Sequence, residues 1–473
     1  MTLINPYNFV PLKNEPDRTE WTKDPIKRHK IHMHHRLSKD TYSGHLILRF
    51  HTITPVFIPS YSQGDVCGTK DEPRTFKRFH RRGEAPIIPG TSIRGMIRSV
   101  FEALTNSCMV LFAETYGSNC YRASNYKRGE CNSQNGLCLA CSVFGTILGD
   151  DLPFQGKVRF SDAIGKKTDL ESREWILREL SAPKPEHRIP FYAVDGSSPG
   201  SGPRGRKFYF HHNPKKVSNK NYITQVEHNK RNRKILEHLK AGSSLSSAMD
   251  FQGLTEEELG ALVYALELEY KIVENNGERH IEPILAHKIG MGKPLGLGSV
   301  SILITGGNIE KGSVRYRSLE PQAAQDLRAQ IEDLRKKAPE PSGHLRDLLS
   351  LSKYKQGDIK YPGLWFTNPA NKKKPLGTRG EFEGTVAQVP ETESDAPVST
   401  AKAPLGKPPS GLPPDQKAVW LKEIYGKRLV FVDTEGKKVE RRINDFQAKR
   451  GLLEAGKWYV LKGTKSVWPL KKQ

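Results

Sequence analysis

Four closely spaced cysteines in the first third of the chain have the residue type and spacing of a metal site. The pattern C-x10-C-x6-C-x2-C is formed by Cys120, Cys131, Cys138 and Cys141. Four thiolates that end in a C-x-x-C pair suit the tetrahedral coordination of zinc. The segments between them are polar and rich in turn residues, so a metal would supply stability that a core cannot. We predict a structural zinc knuckle over about 108–150, and we expect Cys67 and Cys108 to be reduced and buried.

A second candidate site is an anion site at the start of a predicted helix. Thr91 or Ser92 would cap this helix and leave backbone N–H groups free. Arg94 and Arg98 are four residues apart and therefore share a helical face. These groups together favour a phosphate, whereas the alternative is an ordinary amphipathic helix with solvated arginines. The predicted buried face, at helical spacing, consists of Ile93, Met96, Ile97, Val100, Phe101 and Leu104.

A glycine-rich segment with a lysine lies far along the chain at 288–298, before a predicted strand at 299–304. Glycines such as Gly290 and Gly292 allow the backbone to approach a phosphate closely, and Lys293 supplies positive charge. The segment is not a P-loop, because no G-K-[ST] sequence opens a helix.

Three other stretches contain residues that can do chemistry. The polar loop 55–85 holds Asp65 and Asp71 among lysines and arginines; a carboxylate there can hold a divalent ion, or alternatively it caps a turn or pairs with an arginine. The basic and aromatic stretch 204–212 could contact RNA or form a solvated surface hairpin. A histidine cluster could do acid–base chemistry or lie in a solvated or RNA-facing loop; its members are His32, His34 and His35.

The composition indicates a polyanionic partner. The chain has 473 residues, enough for two or three domains, and its 75 Lys and Arg against 52 Asp and Glu give a formal net charge of +23. Nucleic acid is the first candidate for such a basic chain. No apolar run approaches the ~20 residues that a membrane span needs, and the first residues lack the features of a signal peptide. We therefore expect no membrane partner and a cytoplasmic location.

The helix of the anion site resembles a known family signature. The stretch IPGTSIRGMIRSVFE is similar to the I-P-G-[ST]-[ST]-h-[KR]-G-h-h-R-[ST] signature of the RAMP superfamily, the RNA-binding subunits of type III CRISPR effector complexes. Cys141–Gly145, Gly156–Asp162 and the glycine-rich segment 288–298 match further RAMP motifs. The resemblance implies an α+β fold, with a ferredoxin-like (RRM-like) core, an inserted zinc knuckle and a β-hairpin thumb.

The resemblance also implies a function. The partners would be a guide RNA, a paired target RNA and other subunits of the effector complex. Asp71, in a D-x-P pattern, would cleave the target with Mg²⁺, and Asp65 is the second choice. The alternatives are a purely structural guide-binding subunit and a metal-independent guide-processing ribonuclease that uses the histidine cluster. The residues expected at RNA are Thr91, Ser92, Arg94, Arg98, Gly290, Gly292, Lys293, Arg204, Arg206 and Lys207.

Composition and motif positions together predict three regions. The expected division is a RAMP domain over 1–315 with a thumb at about 180–250, a helical extension over 316–375, and a small β-barrel-like module over 376–473 with a flexible segment at 390–414.

Overall fold

The computed structural model of the chain describes most of its first 351 residues and six short segments beyond them. The described residues are 6–12, 16–17, 38–67, 74–109, 131, 137–146, 154–177, 205–212, 233–275, 278–315, 326–351, 399–400, 416–425, 428–435, 438–442, 458–462 and 466–469. The chain forms two compact units, one of residues 1–184 and 202–387 and the other of residues 185–201 and 388–473.

The first unit contains strands β1 to β18 and helices α1 to α6. The strands are β1 Tyr7–Val10, β2 Tyr42–Thr52, β3 Val66–Cys67, β4 Arg74–Phe76, β5 Arg81–Arg82, β6 Ala85–Ile88, β7 Gly145–Thr146, β8 Phe154–Gln155, β9 Val158–Phe160, β10 Ala163–Ile164, β11 Leu170–Leu177, β12 Arg206–Tyr209, β13 Arg233–Leu239, β14 Ser244–Leu254, β15 Tyr270–Asn275, β16 Glu278–Pro283, β17 His287–Lys288 and β18 Ser299–Lys311. The helices are α1 Gly90–Leu104, α2 Leu139–Phe144, α3 Glu256–Leu266, α4 Gly312–Arg315, α5 Leu327–Arg335 and α6 Gly343–Leu349.

The main sheet has the order β17-β18-β2-β14-β10-β6-β5, and β9 also pairs with β14. Along the chain, its central elements come in the order β2, α1, β9–β10, β14, α3 and β18. A β-α-β-β-α-β unit whose fourth, first, third and second strands lie side by side is a ferredoxin-like core. The observed topology agrees with the predicted α+β fold.

Helix α1 packs its predicted apolar face into the core. Its buried residues include Ile93, Ile97 and Phe101, and the Phe101 ring lies 5.4 Å from that of Phe144 in α2. The helix begins at Gly90 and its N-cap is Pro89, without a side-chain hydrogen bond. The predicted capping by Thr91 or Ser92 is therefore wrong, because the observed N-cap comes two residues before Thr91 and three before Ser92.

Helix α3 begins with the capping box that its sequence favours. Thr255 Oγ1 accepts a hydrogen bond from Glu258 N at 3.2 Å, and Glu258 Oε2 accepts one from Thr255 N at 2.9 Å. The fully buried Glu258 carboxylate also lies 2.8 Å from Lys157 Nζ. This ion pair joins α3 to the segment before β9.

Smaller sheets surround the core. One has the order β11-β13-β4-β3, and two-stranded sheets are formed by β1 with β12, β7 with β8, and β15 with β16. In the region of the predicted thumb, the structure describes 205–212 and 233–250. There, β12 pairs with β1, whereas β13 pairs with β11 and β4, so these two strands do not form a hairpin with each other.

The second unit contains one antiparallel sheet with the order β22-β21-β20-β23-β24, and β19 also pairs with β20. Strands β21 and β22 form an antiparallel pair, and β21 ends at Asp433. The barrel-like closure of this unit stays a prediction. The strands are β19 Ser399–Thr400, β20 Gln416–Tyr425, β21 Arg428–Asp433, β22 Lys438–Arg442, β23 Trp458–Lys462 and β24 Ser466–Pro469.

Candidate metal centre and nucleic-acid interface

Four buried cysteines meet at the start of helix α2. Their sulfur atoms all lie within 4.8 Å of one another. Cys108 Sγ lies 3.4 Å from Cys141 Sγ and 3.7 Å from Cys138 Sγ. Cys138 is the N-cap of α2, and its sulfur accepts the Cys141 N–H at 3.5 Å. The cluster consists of Cys108, Cys131, Cys138 and Cys141.

The geometry and chemistry of this donor set fit zinc. Four sulfurs bound to one Zn²⁺ at about 2.3 Å would lie about 3.8 Å apart, which is close to the observed separations. The Cys138 N–H donates to Cys131 Sγ at 3.1 Å, a contact that stabilises a thiolate. Hydrogen bonds from the other three thiols, that of Cys108 first, hold the pKa of Cys138 well below its usual range. Four protein ligands leave no open position, so the zinc would be structural.

The fourth member of the cluster is Cys108, whereas the spacing in the sequence predicted Cys120 as the fourth ligand. Cys120 lies outside the described residues. Cys108 is buried as expected, but the expectation that Cys67 is buried is wrong, since Cys67 is exposed. One signal in the sequence favours Cys108: it comes four residues after the end of α1, whose buried face fixes the position of that end.

Three arginines expected at RNA instead bind main-chain carbonyl groups around the cysteine cluster. Arg94 donates to the Phe144 carbonyl, and Arg98 donates to the Gly145 carbonyl at 3.3 Å. Arg206 donates to the Cys108 carbonyl at 2.9 Å and also to the Ser107 carbonyl. The Glu102 carboxylate lies between two of these guanidinium groups, 2.7 Å from Arg98 Nε and 2.8 Å from Arg206 Nη1. These arginines therefore have partners within the protein, and their hydrogen bonds help to hold the chain around the cysteine cluster in place.

A carboxylate already lies at the start of α1, where the sequence predicted a phosphate. Asp162 Oδ1 accepts a hydrogen bond from Gly90 N at 2.9 Å, and Asp162 Oδ2 lies 2.7 Å from Arg82 Nη2. Asp162 thus supplies the negative charge that a helix N-terminus favours. Thr91 is exposed and Ser92 is half-buried beside it.

Two other residues expected at RNA, Lys207 and Lys293, do come together. Lys207 Nζ lies 3.7 Å from the centre of the Tyr7 ring and 5.1 Å from that of Tyr209. Lys293 Nζ lies 6.0 Å from the Tyr209 ring centre. Among the described residues, no carboxylate forms an ion pair with either lysine. Lys207, Lys293 and the two tyrosines are called the lysine site below.

Burial and mutual repulsion perturb the lysine site. Burial, with a smaller contribution from the charge of Lys293, lowers the pKa of Lys207 to about 8. Burial also lowers the pKa of Lys293. Cation–π attraction to the neighbouring tyrosine rings offsets part of the cost of burying the two ammonium groups, but it supplies no negative charge. Two partly desolvated cations without a described carboxylate partner form a site that an anion would stabilise.

The glycine-rich segment places Lys293 at this site. Gly290 and Gly292 have positive φ angles of 81° and 78°, which favour glycine. Gly292 comes directly before the short 3-10 helix Lys293–Leu295. Lys288 Nζ donates to the carbonyls of Gly296 and Leu297, at 3.1 and 2.9 Å, and thereby holds the turn together.

The register places the start of α1 away from the end of the main sheet where the glycine-rich segment leads into β18. At that end, Val300 of β18 is opposite Thr52, the last residue of β2. Helix α1 follows β6, whose Ile88 is opposite Ala163 of β10. Because Ile164 is opposite Ser246 and Ser247 is opposite Leu48, Ile88 is level with Leu48, four residues before Thr52, and β6 runs away from that end. The order β18-β2-β14-β10-β6 also separates the two elements by four strand spacings, about 19 Å.

The profile of the RAMP superfamily matches residues 49–301, which include α1, all four clustered cysteines, and the lysine site except Tyr7. The chain belongs to the RAMP superfamily. No curated protein matches the sequence. The crystal structure of Thermofilum pendens Csc2 is similar at 11% identity and a TM-score of 0.26, over 70% of this chain and 78% of that one; a likeness this weak supports no further conclusion.

The remaining residues predicted for this RAMP protein are divided between described and undescribed parts of the chain. Asp65 accepts a hydrogen bond from Ser60 Oγ at 2.7 Å and lies 3.8 Å from Arg78 Nε, so it stabilises its own loop. Asp71, Arg204 and the histidines of 32–35 lie outside the described residues. In the described part of this RAMP protein, no helix is both long enough and apolar enough to cross a membrane.

Proposed function

We propose that this RAMP protein binds the sugar–phosphate backbone of a guide RNA at the lysine site, as a subunit of a CRISPR effector ribonucleoprotein. One observation carries the proposal: Lys207 and Lys293, far apart in sequence, meet beside two tyrosine rings without a described acidic partner. A phosphate between them would offset both the burial and the smaller effect of the Lys293 charge that lower the pKa of Lys207. Contacts of this kind position a nucleic acid and do not read its sequence.

The type III assignment and the paired target are the finer part of the proposal. They are supported by the RAMP signature at α1 and by the glycine-rich segment that carries Lys293. In such a complex, base pairing between guide and target would supply specificity, and the protein would fix the shape of the strand. Other effector subunits would be its protein partners.

The binding proposal is tested with the purified chain and a single-stranded RNA. We expect affinity to fall as salt rises, because bound phosphates release counterions. Lys207→Gln and Lys293→Gln should each weaken binding for every RNA sequence and reduce the salt slope by about 1. Lys271→Gln is the control, since Lys271 is an exposed lysine paired with Glu282 on the β15–β16 hairpin. Equal affinity of both lysine-site variants and the wild type would refute the site.

Cleavage of a target RNA with Mg²⁺ rests on the family resemblance alone. Asp65 is engaged within its loop, which leaves Asp71 as the residue to test. In a reconstituted complex with magnesium, Asp71→Ala should abolish target cleavage if this subunit is the nuclease. Undiminished cleavage would support the purely structural alternative. Cutting of repeat RNA that survives a chelator would instead support the guide-processing alternative through His32, His34 or His35.

A further inference from the structure

One face of the main sheet carries exposed apolar side chains. Ile47 of β2 and Ile164 of β10 are 41% and 45% exposed. Their chain neighbours Leu46, Leu48 and Ala163 are fully buried, so the two isoleucines point away from the core.

The strand register shows that these residues share one surface. Residues directly opposite each other in an antiparallel pair point to the same side. Ile164 is opposite Ser246, and Ser246 is opposite Arg49. Arg49 and Ile47 alternate with buried residues of β2 and therefore lie on the same side as Ile164. Ile164 and Arg49 are two strand spacings apart, about 10 Å. We call this surface the open face.

The open face is basic as well as apolar. Arg49, His51 and Arg159 are exposed on it, and Arg159 belongs to it because it is opposite Asp250, which is opposite His45. The Asp250 carboxylate already lies 2.7 Å from His45 Nδ1. Neither Arg49 nor Arg159 forms an ion pair with a carboxylate in the described part of the chain. Ile47 has a small residue on each neighbouring strand, because it is opposite Ala248 of β14 and Gly306 of β18.

The end of the open face where β18 begins contacts the segment that follows β12. Ser299, Ser301 and Leu303 alternate along β18, and Ser301 is opposite His51 of the open face. Ser299 therefore points to the same side, and its Oγ lies 2.9 Å from Nδ1 of His211. Ser299 and His211 are both buried, so this contact closes that end of the open face. His211 follows Tyr209 of the lysine site by two residues, so β12 and the residues after it link the two regions.

Resting on the proposed function, we infer that the open face is a second part of the RNA site, which takes the bases of the single strand whose backbone lies at the lysine site. Bases would pack against Ile47 and Ile164, in the gaps left by the small residues opposite Ile47. Arg49 and Arg159 would meet the phosphates that follow. Single-stranded RNA suits this surface because its bases can be splayed onto a sheet, and its charge is complementary to the unpaired arginines.

The test measures RNA affinity and base contact in the full chain. Ile47→Asp and Arg49→Glu should each weaken binding of a single-stranded oligouridine by about tenfold, in the range of base contacts in single-strand binders. The matched controls are Ile272→Asp, at a 60% exposed isoleucine of β15, and Arg173→Glu, at an exposed arginine of β11. The controls should change affinity less than about twofold. Thiouridine-substituted RNA should cross-link to peptides that contain β2 or β10.

The outcomes separate this inference from the proposed function. If the wild-type chain does not bind RNA, both the proposed function and the open-face inference are refuted. If Lys207→Gln and Lys293→Gln weaken binding while Ile47→Asp and Arg49→Glu do not, and cross-links miss β2 and β10, the lysine site stands and the open-face inference is overturned. Loss of subunit assembly without loss of RNA affinity in Ile47→Asp would also overturn it, in favour of a protein on this face.

Discussion

Arg206 binds the main-chain carbonyl of Cys108 at 2.9 Å, while the ammonium of Lys207, the next residue, lies 3.7 Å from the Tyr7 ring centre. Successive side chains of a strand point to opposite sides, so Arg206 of β12 faces the cysteine cluster and Lys207 faces the lysine site. The position of Lys207 therefore depends on how firmly the cysteine cluster holds Arg206.

Replacing Arg206 with Met should weaken RNA binding although Arg206 is directed away from the lysine site. Glu102 would keep Arg98 as a partner, but the Ser107 and Cys108 carbonyls would lose their donor, and we expect a loss of about 3 kcal/mol in unfolding free energy. Because no phosphate contact is removed, the salt slope of binding should stay at its wild-type value. Titrations at several salt concentrations measure it; a slope reduced by about 1, as in Lys207→Gln, would show that Arg206 contacts RNA directly.

RNA affinity should fall as pH rises through about 8. The pKa of Lys207 in the free protein is lowered to about 8 by burial, and a bound phosphate favours the charged form. Binding then takes up a proton above that pH, and affinity should drop about tenfold between pH 7 and 9. Lys207→Arg keeps its charge and should show a much flatter profile. An identical profile in both proteins would assign the pH dependence to another group.

The effect of Lys207 on folding has the opposite sign. Its pKa is lower in the folded chain than the ordinary value of 10.5, so the unfolded chain binds more protons between pH 8 and 10.5. Lys207 therefore makes folding more favourable as pH rises through that window. Denaturant unfolding of the wild type and Lys207→Met at both ends of the window measures the difference.

Zinc content should depend on Cys108 and not on Cys120. The four clustered sulfurs belong to Cys108, Cys131, Cys138 and Cys141, so Cys108→Ser should lose the metal and several kcal/mol of stability. Cys120→Ser is the control and should keep about one zinc ion per chain. Elemental analysis of the purified proteins, with thermal unfolding before and after chelation, distinguishes the two ligand sets. Zinc that is lost from Cys120→Ser and kept in Cys108→Ser would restore the spacing-based prediction.

Asp162→Ala should destabilise α1 without changing RNA binding. Gly90 N would lose its acceptor, at a cost of about 1 kcal/mol in unfolding free energy. Asp333→Ala is the control, because Asp333 is an exposed acid paired only locally with Lys336. If removal of Asp162 raised RNA affinity well above that of the control, the helix start would be a phosphate site after all, as the α1 motif implied.

The sequence predicted local features well, because they depend on short-range periodicity. The apolar spacing of α1 placed Ile93, Ile97 and Phe101 in the core, and the Thr255 capping box follows from four consecutive residues. The positive φ angles at Gly290 and Gly292 agree with a glycine-rich turn before β18. Each of these features is decided by neighbours within a helical turn or a hairpin.

Features that depend on distant contacts could not be read from the sequence. Asp162 reaches Gly90 from 72 residues away, and Arg206 reaches Cys108 from 98 residues away. The sequence around an arginine looks the same whether its guanidinium group binds a phosphate or a buried main-chain carbonyl. For this reason Arg94, Arg98 and Arg206 were all expected at RNA, whereas only the fold shows that their partners are in the protein.

The pairing of β1 with β12 has a consequence for synthesis of the chain. Tyr7 leaves the ribosome well before its partner Tyr209 in β12. All four clustered cysteines precede Arg206 in the chain. A nascent polypeptide can therefore bring these cysteines together before β12, the partner strand of Tyr7–Val10, has been synthesised. Translation would therefore complete the four-cysteine cluster before the strand pairing that brings Lys207 to Tyr7 can form.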